Sequence, residues 1–340
     1  MKMELIRLDD KPANWDEEIK RFDTKTLFHE SCWLEHIQTI HKRGKFEFFE
    51  IRKNDLKLGY FCALVIRKAF IKIYGSPLGG TGTNFMGPVV NFDIDQTELI
   101  EALKTVVKWP SLTHLEIANE WLDDKVMQFH GFETHPGVTH IVDLPENEDE
   151  AWNNLKSSCR NRIRKAENNG LVVEVVEDLS LADEYYEQFI EVYAKQNMVT
   201  PFGADRPRSL MQSLVPANRI LPLRISHQGE VVATGLFPFD ENCIYFWGAA
   251  SWLKYHKLCP NELLHWEVIK HAIAKGIPRY NMCGGTSQFK SKFGGADVPN
   301  NRYSKSSLPM MRQARRLYQK AHFARLKTAG WLSARRKESG

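Results

Sequence analysis

The sequence lacks the spacings that mark most metal, redox and hydrolase sites. Its six cysteines are scattered, without a C-x-x-C pair or a Cys/His cluster of zinc spacing. It contains no G-x-S-x-G elbow and no H-E-x-x-H helix, and the glycine-rich run 75–88 fits neither a P-loop nor a dinucleotide fingerprint. We therefore expect no metal and a reducing, cytoplasmic setting. The glycine-rich run is interpreted as a structural loop or as part of an acceptor cleft.

A long apolar run is also missing. The longest uncharged stretch, 73–92, contains five Gly and two Pro, which is typical of a loop and not of a membrane span. The first ten residues carry no apolar signal core. The sequence therefore predicts no integral membrane segment.

The charge is small and unevenly distributed. Of the net +4, residues 310–340 contribute +8, from nine Lys/Arg and one Glu, so the other 309 residues sum to −4. A negatively charged body is a poor general DNA binder, and we expect no DNA partner. The basic segment 310–340 is predicted to be helical, with an apolar stripe that docks on the body or contacts lipid or tRNA. The stripe consists of Met310, Ala314, Leu317, Ala321 and Ala324.

One order of predicted elements occurs twice in the 340 residues, which are enough for two domains. Each half has helices, two strands around a turn, an amphipathic helix and a final strand. The amphipathic helices begin at Thr97 and Asn261, 164 positions apart. We predict an α/β protein of two tandem domains, 1–147 and 148–309, followed by the tail 310–340. Each domain is expected to hold a mixed, mostly antiparallel sheet flanked by helices.

The second half has a cationic segment where its central strand, 243–250, leads into the helix at Asn261. Lys254, His256 and Lys257 lie in this segment. Free N–H groups and the helix dipole favour a phosphate at such a helix start. The segment therefore predicts an anion site, and a solvated loop is the alternative.

The corresponding junction of the first half, at about 90–97, carries Asp93 and Asp95 and no cation. We therefore expect the second half to bind the anionic ligand. The first half is expected to act as a support or as an acceptor platform.

Five segments resemble tandem GNAT-fold acyltransferases of the FemAB-like branch, which includes peptidoglycan-bridge aminoacyltransferases and bacterial sugar N-acyltransferases. They are SCWLEHI (31–37), FMGPVV (85–90), SCRNRIRKAENNGLVVE (158–174), PNELLHWEVIKHAIAKGI (260–277) and NMCGGTSQFKSKFGG (281–295). The resemblance implies an acyl donor bound by the second half and an amine acceptor. The Gln/Arg-x-x-Gly-x-Gly signature of acyl-CoA users is absent from 252–261. The donor therefore stays open between acyl-CoA and aminoacyl-tRNA.

The resemblance also implies roles for individual residues. The donor is expected to contact Phe246, Gly248, Ala249, Lys254, His256, Lys257 and Asn261, with a backbone N–H of 246–249 stabilising the oxyanion. Polar contacts near the amine are expected from Trp247, Asn281 and Cys283. The acceptor is expected to contact Arg160, Arg162, Arg164, Lys290, Lys292, Trp33 and His36. For the basic residues the alternatives are a solvated helix face and an ordinary surface loop.

These features predict N-acyl transfer from acyl-CoA to the amine of a nucleotide-linked amino sugar in surface polysaccharide biosynthesis. A dTDP-linked 3-amino-3,6-dideoxyhexose acceptor and a 3-hydroxybutyryl-CoA donor are the specific case that the likeness favours. Residues 175–217 contain no heptad run for the helical arm of many tRNA-dependent relatives. An aminoacyl-tRNA-dependent transferase on a peptidoglycan precursor is one alternative. A non-catalytic module that binds carbohydrate or cell wall is the other.

Overall fold

The computed structural model describes residues 2–68, 71–107, 112–308, 313, 317, 321 and 324. The strands in these residues are β1 (Met3–Arg7), β2 (Gly44–Lys53), β3 (Leu56–Lys68), β4 (Ile71–Ser76), β5 (Pro88–Val90), β6 (Leu112–Ala118), β7 (Glu133–His135), β8 (Val138–Asp143), β9 (Val172–Val175), β10 (Ile220–His227), β11 (Glu230–Pro238), β12 (Ile244–Tyr245), β13 (Gly248–Ser251), β14 (Arg279–Gly284), β15 (Ala296–Pro299) and β16 (Arg302–Ser306). The α-helices are α1 (Trp15–Ile19), α2 (Ser31–Ile40), α3 (Gln96–Leu103), α4 (Asp124–Phe129), α5 (Glu148–Asn154), α6 (Ser157–Asn168), α7 (Ser180–Lys195), α8 (Asp205–Leu214) and α9 (Pro260–Ala274).

Local sequence signals account for many of these boundaries. The hairpin of β10 and β11 turns at Gln228 and Gly229, which both have positive φ, as two-residue hairpin turns require. Helix α9 ends where Gly276 adopts φ +68°, a conformation that glycine takes without strain. The hairpin turn and the end of α9 therefore both follow from the local sequence.

The first compact unit comprises residues 1–138 and 299–316. Its sheet has the strand order β1-β2-β3-β4-β6-β16-β7, with β5 paired to β3. Leu115 and Ile117 of β6 and Tyr303 of β16 are buried in its core, beside Leu99 and Leu103 of α3. This alternation of apolar residues along β6 is the pattern of a strand with one face against helices.

The second unit comprises residues 139–298 together with 317–340. It holds two four-stranded sheets, ordered β13-β11-β10-β9 and β12-β14-β8-β15. Helix α9 packs its buried residues, among them Leu264, Val268 and Ala272, into the core of this unit. The predicted fold class, an α/β protein with mixed sheets flanked by helices, is confirmed.

The division of the chain differs from the predicted division into 1–147 and 148–309. Strand β8, predicted as the last strand of the first half, pairs with β14 in the second unit. Residues 302–306, which the prediction assigned to the second domain, form β16 and pair with β6 and β7 in the first unit. Each predicted domain therefore supplies one strand to a sheet of the other unit. Strands that are far apart in sequence can pair, so a division at one point of the sequence does not separate the sheets.

Most of the predicted basic tail lies outside the described residues, including Met310 and Ala314 of its stripe. Leu317, Ala321 and Ala324 are helical and exposed, which does not fit the predicted docking of the stripe on the body. Within the described part of the chain, no helix combines the length and the apolar character that crossing a membrane requires.

Strand β16 gives a test of this division. Tyr303 is buried, and its hydroxyl donates to Asp124 Oδ1 (2.6 Å) and to the Leu122 carbonyl (3.2 Å). Tyr303→Ala should destabilise the first unit by about 3–5 kcal/mol, because a buried ring is lost. Native-state hydrogen exchange should show faster exchange in β6 and α4, with α9 unchanged.

Tyr303→Phe is the matched control, since it keeps the ring and loses only the hydroxyl, at a cost of about 0.5–2 kcal/mol. Faster exchange in α9 rather than in β6 would show that residues 302–306 belong to the second unit, as the sequence predicted.

Candidate active site

The central strand of the second unit divides between the two sheets. Ile244 and Tyr245 (β12) pair in parallel with β14, and the Phe246 N–H still reaches the Asn281 carbonyl of β14 at 2.9 Å. From Gly248 onward the chain pairs with β11 instead. The strand therefore leaves β14 at residues 246–247, and a gap opens between β13 and the end of β14.

The hydrogen-bond alternation of an antiparallel pair shows which backbone groups face away from β11. The Trp252 N–H donates to the Val232 carbonyl, so the residues two and four positions earlier, Ala250 and Gly248, also bond to β11. Ala249 then directs its N–H away from β11, toward the gap. The N–H groups of Phe246 and Trp247 already donate to backbone carbonyls. Among the predicted oxyanion donors, Ala249 is therefore the residue with the required direction.

The helix that follows this strand begins without a side-chain cap. Cys259, at the N-cap of α9, has φ +62° and makes no capping hydrogen bond, and Pro260 occupies the first helical position. Pro lacks an N–H, so the backbone donors of the first turn begin at Asn261. A helix of 15 residues with uncapped N–H groups attracts anions.

In the first unit, the corresponding strands β4 and β6 show no break in their pairing, and the corresponding helix α3 has a capped start. Strands β4 and β6 pair in parallel without a break, from Ile71–Leu112 to Ser76–Ile117. The helix that lies between them in sequence, α3, is capped by Asp95, whose Oδ1 accepts from the N–H groups of Thr97 (2.8 Å) and Glu98 (3.1 Å). Among the described residues of the first unit, these equivalent elements therefore have neither a gap nor an uncapped helix start.

A buried carboxylate organises the basic residues near α9. Glu262 of α9 has a side chain only 4% exposed, and its Oε1 contacts Arg162 and Lys292, each at 3.2 Å. These two cations balance the buried charge. Arg162 and Lys292 were predicted to bind the acceptor, but in the structure their partner is Glu262.

The other predicted acceptor cations also have partners within the second unit. Arg160 donates to the carbonyls at the end of α5, including that of Leu155 (2.6 Å), and the Arg164 guanidinium lies 5.3 Å from the Trp152 ring centroid. Lys290 donates to the Cys283, Gly284 and Gly285 carbonyls, which uses its three N–H groups, and burial lowers its pKa. These contacts stabilise α5, α6 and the end of β14, so they do not fit the predicted phosphate contacts.

The three cationic residues that were predicted to bind the donor, Lys254, His256 and Lys257, differ in their contacts. Lys254 pairs with Glu230 at 3.1 Å and lies over the Tyr255 ring. His256 is within 3.1 Å of the Ser251 hydroxyl, and Lys257 is exposed in the 3-10 turn Leu253–Leu258 that leads to α9. Of the three, Lys254 contacts an acidic side chain, while Lys257 stays exposed just before the helix start.

The three residues predicted near the amine lie where β12 leaves β14. Asn281 is buried, and its Oδ1 accepts from Thr139 (2.5 Å) and from the Cys283 N–H (2.8 Å). Its Nδ2 has no hydrogen-bond partner among the described residues. Cys283 holds φ +60° at the end of β14, and Trp247 lies at the point where the strand separates.

Trp33 and His36 were predicted to bind the acceptor, but both are fully buried within the first unit. The Trp33 indole donates to Thr83 Oγ1 at 3.0 Å and packs edge-on against His36. Thr83 belongs to the glycine-rich run 75–88, which these contacts hold in place. Both side chains and the run are part of the first unit's packing.

Sequence reasoning missed an aromatic wall beside the gap, formed by Tyr185, Phe189, Phe202 and Trp247. Trp247 lies 5.9 Å from Tyr185 and 5.8 Å from Phe202, between ring centroids, and Phe202 stacks on Phe189 at 4.8 Å. The half-buried Arg206 guanidinium lies over Phe202, at 4.9 Å, and burial lowers its pKa. The recurrence of aromatics along α7 was the available signal.

His265, a buried imidazole below the gap, is not suited to act as a base. Its Nδ1 lies 2.6 Å from the Tyr280 hydroxyl, and its ring is 4.8 Å from that of Phe246. Burial lowers its pKa to about 3. The ring is therefore neutral at physiological pH and contributes packing and one polar contact. The described residues contain no group of three or more His, Cys, Asp or Glu side chains that could hold a metal ion.

Comparisons with known proteins agree with this geometry. Residues 153–291 match the family described as an acetyltransferase (GNAT) domain. FemX has the same fold over 93% of this chain and 99% of its own, with a TM-score of 0.71 and 13% identity. The L-PGS structure from Bacillus licheniformis gives a TM-score of 0.54 and 13% identity, covering 86% of this chain and 90% of its own. A search of curated proteins by sequence finds no match.

The divided strand and the uncapped start of α9 both lie within residues 153–291, the part of the chain that matches the GNAT acetyltransferase domain. The predicted resemblance to GNAT-fold acyltransferases is confirmed for residues 153–291, and the chain shares the fold of FemX over 93% of its length.

Gly248 gives a test of the packing at the gap. A Cβ at this position would lie 2.3 Å from the Tyr185 hydroxyl oxygen. Gly248→Ala should therefore cost about 1–3 kcal/mol of unfolding free energy by overpacking. Adding Tyr185→Phe removes the closest atom and should restore part of that loss, which chemical denaturation of the two single variants and the double variant can measure.

The double-mutant cycle is the control, since Tyr185→Phe alone should have a small effect. Additive losses in the double variant would contradict the predicted clash.

Proposed function

We propose that the second unit transfers an acyl group from acyl-CoA to the primary amine of a nucleotide-linked amino sugar. The observation that carries the proposal is the pairing of the open gap beside Ala249 with the uncapped start of α9. A thioester carbonyl can lie against the first, and the CoA pyrophosphate can lie against the second. The closed first unit offers neither feature.

The protein's part in this reaction is positioning and charge stabilisation. The amine nitrogen attacks the thioester carbonyl carbon, the Ala249 N–H stabilises the resulting oxyanion, and the C–S bond then breaks to release the CoA thiol. The amine proton passes through water to the departing sulfur, so that CoA leaves as the thiol. A sugar amine flanked by hydroxyls is less basic than a lysine amine, so a sufficient fraction is neutral at pH 7 without a strong base. The unpartnered Nδ2 of Asn281 is a further candidate donor to the reacting groups.

The acceptor side of the proposal rests on the aromatic wall and Arg206. Flat aromatic faces suit the apolar face of a sugar ring or a nucleobase. A half-buried guanidinium suits a diphosphate, because its fork binds two oxygens at once. A dTDP-linked 3-amino-3,6-dideoxyhexose as the acceptor and 3-hydroxybutyryl-CoA as the donor remain the specific case that we propose for surface polysaccharide biosynthesis.

The donor site can be tested by changing the cap of α9. Cys259→Asp places a negative charge at the helix start, and Cys259→Asn places a neutral side chain of the same size there. Repulsion of the pyrophosphate should make CoA bind at least about ten-fold more weakly to the Asp variant than to the Asn variant. Isothermal titration measures both affinities, and a thermal melt shows that both variants are folded. Equal CoA affinity in the two variants would locate the donor elsewhere.

The acceptor site can be tested at Arg206. Arg206→Gln should raise the KM for a nucleotide-linked amino sugar by about ten-fold or more, because a charge-assisted contact to phosphate is lost. The affinity for CoA should stay within two-fold. Arg208→Gln is the matched control, since Arg208 lies on the same helix and pairs with Asp183 at the surface. Equal effects of the two variants on KM would exclude a direct contact between Arg206 and the acceptor.

An aminoacyl-tRNA donor is the second candidate, favoured by the FemX-like fold over most of the chain. The experiment that separates the two is turnover with acyl-CoA and a panel of nucleotide-linked amino sugars, followed by thiol release. Thiol release supports acyl-CoA. Transfer from charged tRNA without CoA turnover would support the second candidate, and binding of sugar without any transfer would support a non-catalytic module.

A further inference from the structure

The second unit also contains a cavity beside its sheet β13-β11-β10-β9, on the face opposite to the one that α9 covers. Its volume is about 300 Å³, and its lining residues are Glu184, Glu187, Gln188, Glu230, Val231, Trp252 and Lys254. They come from α7, from the start of β11 and from the segment after β13. A cavity of this size holds a ligand of about ten to fifteen non-hydrogen atoms.

The neighbouring strand residues show that the cavity is separate from the donor site. The Thr234 hydroxyl faces α7 and donates to Gln188 Oε1 at 2.9 Å. The next residue, Gly235, faces the opposite way, since a Cβ there would lie 2.9 Å from Leu264 of α9. The cavity on the α7 face is thus divided from the α9 face by the sheet.

Together with Arg224, which binds Glu184 from outside the lining, the lining carries one more negative charge than positive charge. Both oxygens of Glu184 are held by Arg224, at 2.6 and 2.8 Å, and Glu230 is held by Lys254 and the Tyr255 hydroxyl. Glu187 is exposed and has no ion-pair partner among the described residues. Three carboxylates against two cations leave a net charge of −1. The cavity therefore favours a ligand with a single positive charge.

A buried amide adds a second requirement. Gln188 is fully buried, and its Nε2 has no hydrogen-bond partner among the described residues. Its Oε1 is already bound on the sheet side by Thr234, so the amide nitrogen is the group that can donate to a molecule in the cavity. A buried unpaired N–H group is costly, and a ligand oxygen would remove that cost. The half-buried Trp252 offers an aromatic face for an ammonium group.

We propose that this cavity binds a small organic amine with one positive charge and a hydroxyl or carbonyl oxygen next to its amino group. The ammonium group contacts Glu187 and the face of Trp252, and the neighbouring oxygen accepts from Gln188. The cavity lies across the sheet from the start of α9, the proposed donor site, and binding requires neither acyl donor nor turnover.

Glucosamine and glucose are suitable probes, because they differ only in the amino group that replaces one hydroxyl. With the full-length protein at pH 6, without CoA, isothermal titration should detect glucosamine and show at least about ten-fold weaker binding of glucose. Equal affinity for both sugars, or no binding of glucosamine at millimolar concentration, would overturn the proposal.

Glu187→Gln removes the excess charge at an exposed position and should weaken glucosamine binding by about ten-fold. Asp183→Asn is the matched control, since it removes one charge from the same helix outside the cavity, and it should change binding less than two-fold. Arg206→Gln and Cys259→Asp, which alter the acyl-transfer site, should have no effect. A loss with Arg206→Gln but not with Glu187→Gln would mean that glucosamine binds at the acceptor site, and the proposal would be wrong.

Discussion

The proposed active site of this protein depends on one strand that pairs with two sheets in turn. Residues 244–251 begin beside β14 and end beside β11, and they cannot pair with both strands at the same position. The break at Phe246 and Trp247 opens the gap, directs the Ala249 N–H toward it and leads the chain into α9. A ligand in the gap would satisfy backbone groups that an ordinary sheet pairs with another strand.

The basic residues around this gap show why residue type alone does not assign a ligand. The buried carboxylate of Glu262 needs partners within the fold, and Arg162 and Lys292 supply them. Lys290 uses its three N–H groups on carbonyls that the turn after β14 leaves open. The sequence shows the cations, but their partners are distant in sequence and follow from the tertiary structure.

Local features could be predicted well from the sequence. The hairpin at Gln228 and Gly229 and the two ends of α9 follow from turn chemistry and hydrophobic spacing. The exchange of β8 and β16 between the units could not, since a strand's pattern does not record which neighbour it pairs with. The aromatic wall was missed for the same reason, because Trp247 and Phe202 lie 45 positions apart.

The two units share an order of elements but differ at the two points that acyl transfer requires. In the first unit the central parallel pair is continuous and Asp95 caps the following helix, so a negative side chain occupies the place of an anion. In the second unit the strand divides and Cys259 leaves the helix start uncapped. A side-chain cap stabilises a helix by about 0.5–2 kcal/mol, and α9 of the second unit lacks that stabilisation. The pyrophosphate of a bound acyl donor would take the place of the missing cap. The two units therefore differ in what lies at the helix start: the Asp95 carboxylate accepts the first N–H groups of α3, whereas those of α9 have no side-chain acceptor and are open to an anionic ligand.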